Sequence, residues 1–208
     1  TLLLQAASPP LQYRALVEVV PEGGRDPAQV EALRAAVLEY KVATAIARKQ
    51  RDNGLWAANL LATGPDRATG AKEAGTIHQY RALLELGWPP DMRPFRLADR
   101  FLFRLLSRDE DPGLLLEFQR AAKTDAALGF WARNLGREAA AGALARGGHA
   151  EDPRLRGSAH RIASDISQYA RSELAAKPFR KAQGKTVLDP AATPPSLHVA
   201  ASDRKSVV

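Results

Sequence analysis

The chain has 208 residues, an ordinary hydrophobic share of 45% and a formal net charge of +7. It contains no cysteine, which excludes disulfides, thiolate metal sites and a cysteine nucleophile and fits a reducing compartment. No apolar run approaches the roughly 20 residues that cross a bilayer. We therefore expect a cytoplasmic protein without a transmembrane segment.

The basic residues do not form the pattern of a nucleic-acid-binding surface. They are mixed with acids in stretches such as RDEDP (108–112) and RSELAAK (171–177). Aromatic residues, which stack on single-stranded bases, make up only 6% of the chain. The composition thus disfavours nucleic acid as a partner.

Apolar residues recur every three or four positions, which predicts helices from the N-terminus onward. In LQYRALVEVV this spacing places Leu11, Ala15 and Val19 on one stripe. The stretch HQYRALLELG repeats it with Tyr80 and Leu83, and RLADRFLFRLL follows. No pair of alternating segments is joined by a hairpin turn. The pattern predicts an all-α chain of antiparallel helix pairs over residues 1–178.

Helix starts are marked by a repeated dipeptide. Asp-Pro occurs at 26–27, 111–112 and 152–153, each time before a helix-compatible run. Asp accepts a free backbone N–H at the helix start, and Pro presets the backbone angle at the first helical position. Each of the three sites is therefore predicted to begin a helix.

The helical pattern fades after Pro178. Residues 179–208 contain several Pro and Gly breaks and no sustained apolar stripe, which predicts a flexible tail. The last six residues, DRKSVV (203–208), are what one reading frame of a common sequencing adapter encodes. We expect these six to be adapter read-through at the end of a truncated gene fragment.

The stretch KQRDNGLW (49–56) is predicted to be a joint between two helices. Gly54 permits a tight turn with positive φ where the first helix ends. Trp56 offers a large face for burial, and its indole N–H and the Gln50 amide can bind loop or helix-end backbone groups.

The spacing Gln50-x-x-x-Gly54-x-Trp56 resembles the Gln–Trp motif of squalene and hopene cyclases, which belong to the terpenoid-cyclase and prenyltransferase group. The flanking segments ARKQRDNGLW and GTIHQYRALLELGWPPD follow in the order typical of that group. The earlier segments ASPPLQYRALVEVV and DPAQVEALRAAV are similar to the N-terminal helices of a bacterial group of toroid-like proteins, and the resemblance as a whole covers about residues 5–120. The resemblance implies a partial α/α toroid, or a helical-repeat array, in which the motif tightens outer helices without touching substrate.

The residues that the resembling enzymes use for catalysis are missing. The chain has no Asp-x-Asp-Asp acid box, and the acidic stretch at 108–112 fits helix capping. Without cysteine, the zinc site of protein prenyltransferases cannot form. None of the histidines has helical metal-ligand spacing, and Ser158, His160 and Asp165 lack triad character. We expect no cofactor, no metal and no cyclase activity, and the sequence assigns no catalytic residue.

One polar segment is predicted to meet a ligand if the chain binds one. Lys72, Glu73, Thr76, His78 and Gln79 surround the start of the helix after the joint. The toroid resemblance points this helix end at a central cavity. The alternative is an ordinary polar helix start in which Thr76 or Glu73 caps the helix.

Two functional classes remain open at this point. The first is a protein that binds an apolar or isoprenoid-like small molecule in a central cavity. The second is a helical-repeat scaffold for protein–protein interaction. A cavity lined by apolar groups with a few polar ones favours the first class, and an open array with an Arg-rich inner face favours the second.

Overall fold

The fold is all-α, as the sequence predicts. A computed structural model describes residues 6–65, 71–108, 111–182 and 184–188. The helices are α1 Pro9–Arg14, α2 Pro27–Leu38, α3 Lys41–Arg48, α4 Thr76–Glu85, α5 Arg93–Ser107, α6 Gln119–Thr124, α7 Ala126–Arg146, α8 Pro153–Ala170 and α9 Glu173–Ala176. A π-helix spans Ala15–Val19, and 3-10 helices span Glu22–Gly24 and Pro112–Phe118. Within these ranges no helix is both long and apolar enough to span a membrane.

All three Asp-Pro sites begin helices. At each site the Asp side chain accepts a hydrogen bond from the backbone N–H two residues further on, at 2.9 to 3.0 Å, as seen for Asp26, Asp111 and Asp152. The prediction is confirmed, although the helix after Asp111 is a 3-10 helix. The cap is a local hydrogen bond, because donor and acceptor lie within two residues of each other in the sequence.

The first predicted stripe does not enter the core. Leu11 is 54% exposed and Val19 is 78% exposed. Val19 leaves the stripe at the π-helix Ala15–Val19, where the N–H of Val20 bonds to the carbonyl of Ala15. Because a π-helix winds with more residues per turn, side chains four positions apart no longer share one face.

Helix α7 is the centre of the packing. It contacts α4, α5, α6, α8 and the 3-10 helix Pro112–Phe118. The largest fully buried side chains include Tyr80 of α4 and Phe95 of α5, whose rings meet edge to face at 5.0 Å. The short loop between α7 and α8 returns the chain, so these two packed helices run in opposite directions.

A carboxylate fastens the loop between α3 and α4 to the rest of the protein. The two oxygens of Glu117 accept the backbone N–H groups of Leu60 and Leu61 at 2.8 and 2.9 Å. Both hydrogen bonds are charge-assisted and join segments far apart in sequence. The loop that lies beside α4 is thereby held against the 3-10 helix.

The segment after Pro178 contains structure that the sequence analysis did not predict. β1 Phe179–Ala182 pairs antiparallel with β2 Lys185–Leu188, with Phe179 opposite Leu188. Gly184 has φ of +75° in the turn, a conformation that glycine adopts without steric cost. Flexibility of the segment stays a prediction, and residues 189–208, including 203–208, lie outside the described residues.

Candidate functional site

The predicted joint between α3 and α4 is present in atomic detail. Trp56 is 1% exposed, and its indole N–H donates to the carbonyl of Ile46 in α3 at 2.7 Å. The Gln50 amide donates to the carbonyls of Gly54 and Pro94 at 3.1 and 2.8 Å. The predicted burial of Trp56 and the predicted backbone partners of Gln50 and Trp56 are confirmed.

Gly54 occupies a position that no larger residue fits. Its φ is +86°, as predicted for the turn after the helix. A Cβ at this position would collide with the backbone carbonyl of Leu97 in α5. The joint therefore brings the chain into direct backbone contact with α5, which supports a structural role for this motif.

Thr76 belongs to the joint and does not cap α4. It is fully buried, and its hydroxyl accepts the N–H of Trp56 at 3.1 Å and lies 3.2 Å from the carbonyl of Asn59. The N-cap residue is Gly75, which has no side chain that could accept a hydrogen bond from the helix start. The alternative of Thr76 or Glu73 as a cap is therefore wrong, because Thr76 turns inward and Glu73 pairs with Lys49 at 3.3 Å.

The structure does not bring the five predicted ligand residues together. Lys72 and Glu73 line a concavity beside the loop between α3 and α4, whereas His78 lines a different groove. Thr76 is buried in the joint, and Gln79 is half-buried and lines neither space. The predicted grouping fails because Lys72 and Glu73 precede α4, and because Thr76, His78 and Gln79 point in different directions around it.

The groove that His78 lines lies between α4, α7 and α8, and we call it the α4–α7–α8 groove. It encloses about 630 Å³, within the range of roughly 300–1,000 Å³ that is usual for ligand sites. Its lining is mostly Ala, Gly, Leu and Ile. The sequence EAAAGALA (138–145) explains the space, since small side chains on α7 leave a gap between α4 and α8.

One wall of the groove is an apolar stripe on α8. Leu155, Ala159, Ile162 and Ile166 recur at helical spacing and line it. Ile166 remains 41% exposed. A large apolar side chain thus faces a space that the chain itself does not fill.

The opposite wall is polar and comes from α4. His78 and Arg81 lie three residues apart on the face of α4 that is turned away from Tyr80 and Leu83, which are buried. Arg146 at the end of α7 and Arg156 in the first turns of α8 also line the groove. Sequence reasoning identified His78 but missed the arginines, because they come from helices that meet only in the folded chain.

A largely buried polar network joins two helices and the α7–α8 loop close to the groove. The Tyr80 hydroxyl donates to one oxygen of Asp99 at 2.9 Å, and Nε2 of His149 lies 3.0 Å from the other. Burial raises the pKa of the Asp99 carboxyl, and the contacts with Tyr80 and His149 partly offset this. Burial is also the main cause that raises the pKa of the Tyr80 phenol. These three side chains do not line the groove, and their contacts stabilise the packing of α4, α5 and the α7–α8 loop.

The sequence contains one signal for this network, the acidic residue Asp99 at a core position of α5. Asp99 lies on the same helical face as Phe95, Ala98 and Leu102, all of which are buried. A carboxylate at a core position needs a hydrogen-bond donor or a positive partner. The pattern could have shown that Asp99 is paired, but the partners could not be identified.

The remaining sequence candidates do not form a catalytic or metal centre. Ser158, His160, Ser164 and Asp165 all lie on α8, where His160 and Asp165 are exposed. Among the described residues no group of three or more His, Asp or Glu side chains could hold a metal ion. Of the two large concavities, the α4–α7–α8 groove has the more apolar lining and is the candidate site.

Comparison with known proteins provides no relative for this chain. No protein-family model matches it. Neither the curated proteins nor the solved structures give a significant match. The functional interpretation therefore depends on the geometry of the groove.

Proposed function

We propose that this chain binds an apolar small molecule, of the size of an isoprenoid or acyl chain, in the α4–α7–α8 groove. The observation that carries the proposal is an apolar groove of about 630 Å³ with few polar groups at its edge. Burial of apolar ligand surface there would supply the binding free energy. The partial toroid remains part of this proposal, as the arrangement that places the groove between helix pairs.

The polar groups favour ligand binding over the scaffold interpretation. A helical-repeat scaffold would present an open curved array with an Arg-rich inner face. The groove instead has an apolar floor and wall, and His78, Arg81, Arg146 and Arg156 lie among apolar neighbours. A few polar groups in an apolar space are typical of small-molecule sites, where they orient the ligand.

The groove contains no arrangement that suggests chemistry on its ligand. Its one carboxylate, Glu138, is buried and already has a partner. His78 is exposed. We accordingly propose binding without catalysis, and we expect no product when the chain is incubated with squalene or prenyl diphosphates.

Two glycines provide a matched test of the site. Gly142 of α7 lines the groove, and Gly157 of α8 does not. A Cβ added at either position meets nothing within 4 Å, so neither substitution starts with a clash. Gly142→Phe should fill the groove, whereas Gly157→Phe should leave it open.

The experiment measures farnesol binding by displacement of the fluorescent probe 1-aminoanthracene. The unmodified chain and Gly157→Phe should bind farnesol with the same affinity, and Gly142→Phe should bind it about tenfold or more weakly. Circular dichroism confirms that both variants are folded. The proposal is overturned if the unmodified chain does not bind farnesol, or if Gly142→Phe binds it equally well.

A further inference from the structure

Resting on the proposed function, we infer that the ligand of the α4–α7–α8 groove is a single-chain amphiphile with an anionic head group held by Arg81, Arg146 and Arg156. The inference follows from how charge is distributed along the groove. All three arginines line it, and they come from three different helices. The lining residues carry one negative charge, that of Glu138.

The three arginines lie at the same end of the groove. Arg146 is the last residue of α7, and Arg156 is in the first turns of α8, which begins after a short loop. Arg81 lies one turn before Glu85 on α4, and Glu85 contacts Arg146 at 3.5 Å. The C-terminal end of α4, the end of α7 and the start of α8 therefore meet here.

The other end of the groove has no arginine among its lining residues. Leu135 is among the first groove residues of α7, and Ile166 is the last of α8. Because α7 and α8 run in opposite directions, these two residues lie at the same end, away from Arg146 and Arg156. The groove thus has a polarity that matches a molecule with a charged head and an apolar tail.

Acidic residues already present do not neutralise the cationic end. Glu138 lies eight residues before Arg146, roughly 12 Å away along the helix axis. Glu85 and Glu151 pair with Arg146 and Arg156 at 3.5 and 3.3 Å, but both carboxylates are well exposed. Exposed ion pairs of this kind contribute little, so an incoming anion can displace them.

The guanidinium groups are suited to an oxyanion. Each presents N–H groups in a planar fork that matches a carboxylate or a phosphate. Arg81 has no carboxylate partner within the described part of the chain. The carbonyl ends of α4 and α7 and the N–H end of α8 lie together here, and each helix end carries only about half an elementary charge. The three full positive charges of the arginines therefore determine the sign of the potential.

The test compares three ligands that share one tail. Decanol is neutral, whereas decanoate and decyl phosphate carry the two head groups that the shared chemistry allows. Affinities are measured by displacement of 1-aminoanthracene, at concentrations that leave the circular-dichroism spectrum unchanged. At least one anionic ligand should bind about tenfold tighter than decanol. The preference should shrink as the NaCl concentration rises.

A double variant locates the head group. Arg81→Gln with Arg146→Gln should reduce the ratio of anionic to neutral affinity by about tenfold. Arg100→Gln, at an exposed arginine of α5 outside the groove, should leave the ratio unchanged.

Each outcome decides one of the two proposals. Equal binding of decanol and both anions overturns this inference and leaves the apolar groove standing. A preference for anions that persists in the double variant also overturns it, since the head group then lies elsewhere. If neither decanol nor farnesol binds, the proposed function fails and this inference fails with it.

Discussion

Replacing Trp56 by alanine should strongly destabilise the protein, because the side chain is both a core element and a hydrogen-bond donor. The ring is 1% exposed, and deletion of a buried Trp costs on the order of 3–5 kcal/mol. Its N–H bonds to the carbonyl of Ile46 at 2.7 Å, and loss of such a partner accounts for about 1–3 kcal/mol of that cost. Since domains are stable by only about 5–15 kcal/mol, the loss is a large fraction of the total.

The assay is thermal and urea unfolding followed by circular dichroism. For a chain of this length, a loss of this size lowers Tm by roughly 6–20 °C. Trp131→Ala is the matched control, because Trp131 is 49% exposed and makes one edge contact with Phe118. That variant should lose clearly less than Trp56→Ala, about 0.5–1.5 kcal/mol.

The same variant separates a joint from an active-site residue. Trp56 does not line the α4–α7–α8 groove, so the folded fraction of Trp56→Ala should bind farnesol with unchanged affinity. The reasoning is refuted if the variant keeps full stability while binding is lost. Equal destabilisation by Trp56→Ala and Trp131→Ala would also refute it.

Three further outcomes follow from local contacts. Gly54→Ala should lower the free energy of unfolding, as measured by urea unfolding. Positive φ alone costs a non-glycine residue about 1–2 kcal/mol, and the loss should exceed this because the added Cβ also collides with the α5 backbone. Glu117→Ala should speed hydrogen exchange at the two loop amides that it binds, whereas Glu117→Gln, which keeps one acceptor, should speed it less. The hydrogen bond from Arg154 lowers the pKa of Asp152 to about 2 from 3.8, so its ionised form stabilises the fold above pH 3.8 and this contribution is lost as pH falls towards 2. The difference in Tm between the unmodified chain and Asp152→Asn should therefore shrink over that window, and a constant difference would contradict this.

Part of this structure is determined by residues close together in sequence. The Asp-Pro caps need only a carboxylate and an N–H two residues further on, so each could be predicted from its dipeptide. The turn at Gly54 and the burial of Trp56 likewise follow from backbone freedom and side-chain size. The all-α class follows from apolar periodicity, which helices impose wherever one face is buried.

Other features depend on which helices meet, and only the tertiary structure decides them. The α4–α7–α8 groove brings Arg81 together with Arg146 and Arg156, which are distant in sequence, and separates His78 from Lys72. The π-helix that exposes Val19 and the partners of Asp99 were equally beyond sequence reasoning. Periodicity states which side of a helix is buried, but the neighbour on that side is chosen by packing among all the helices at once.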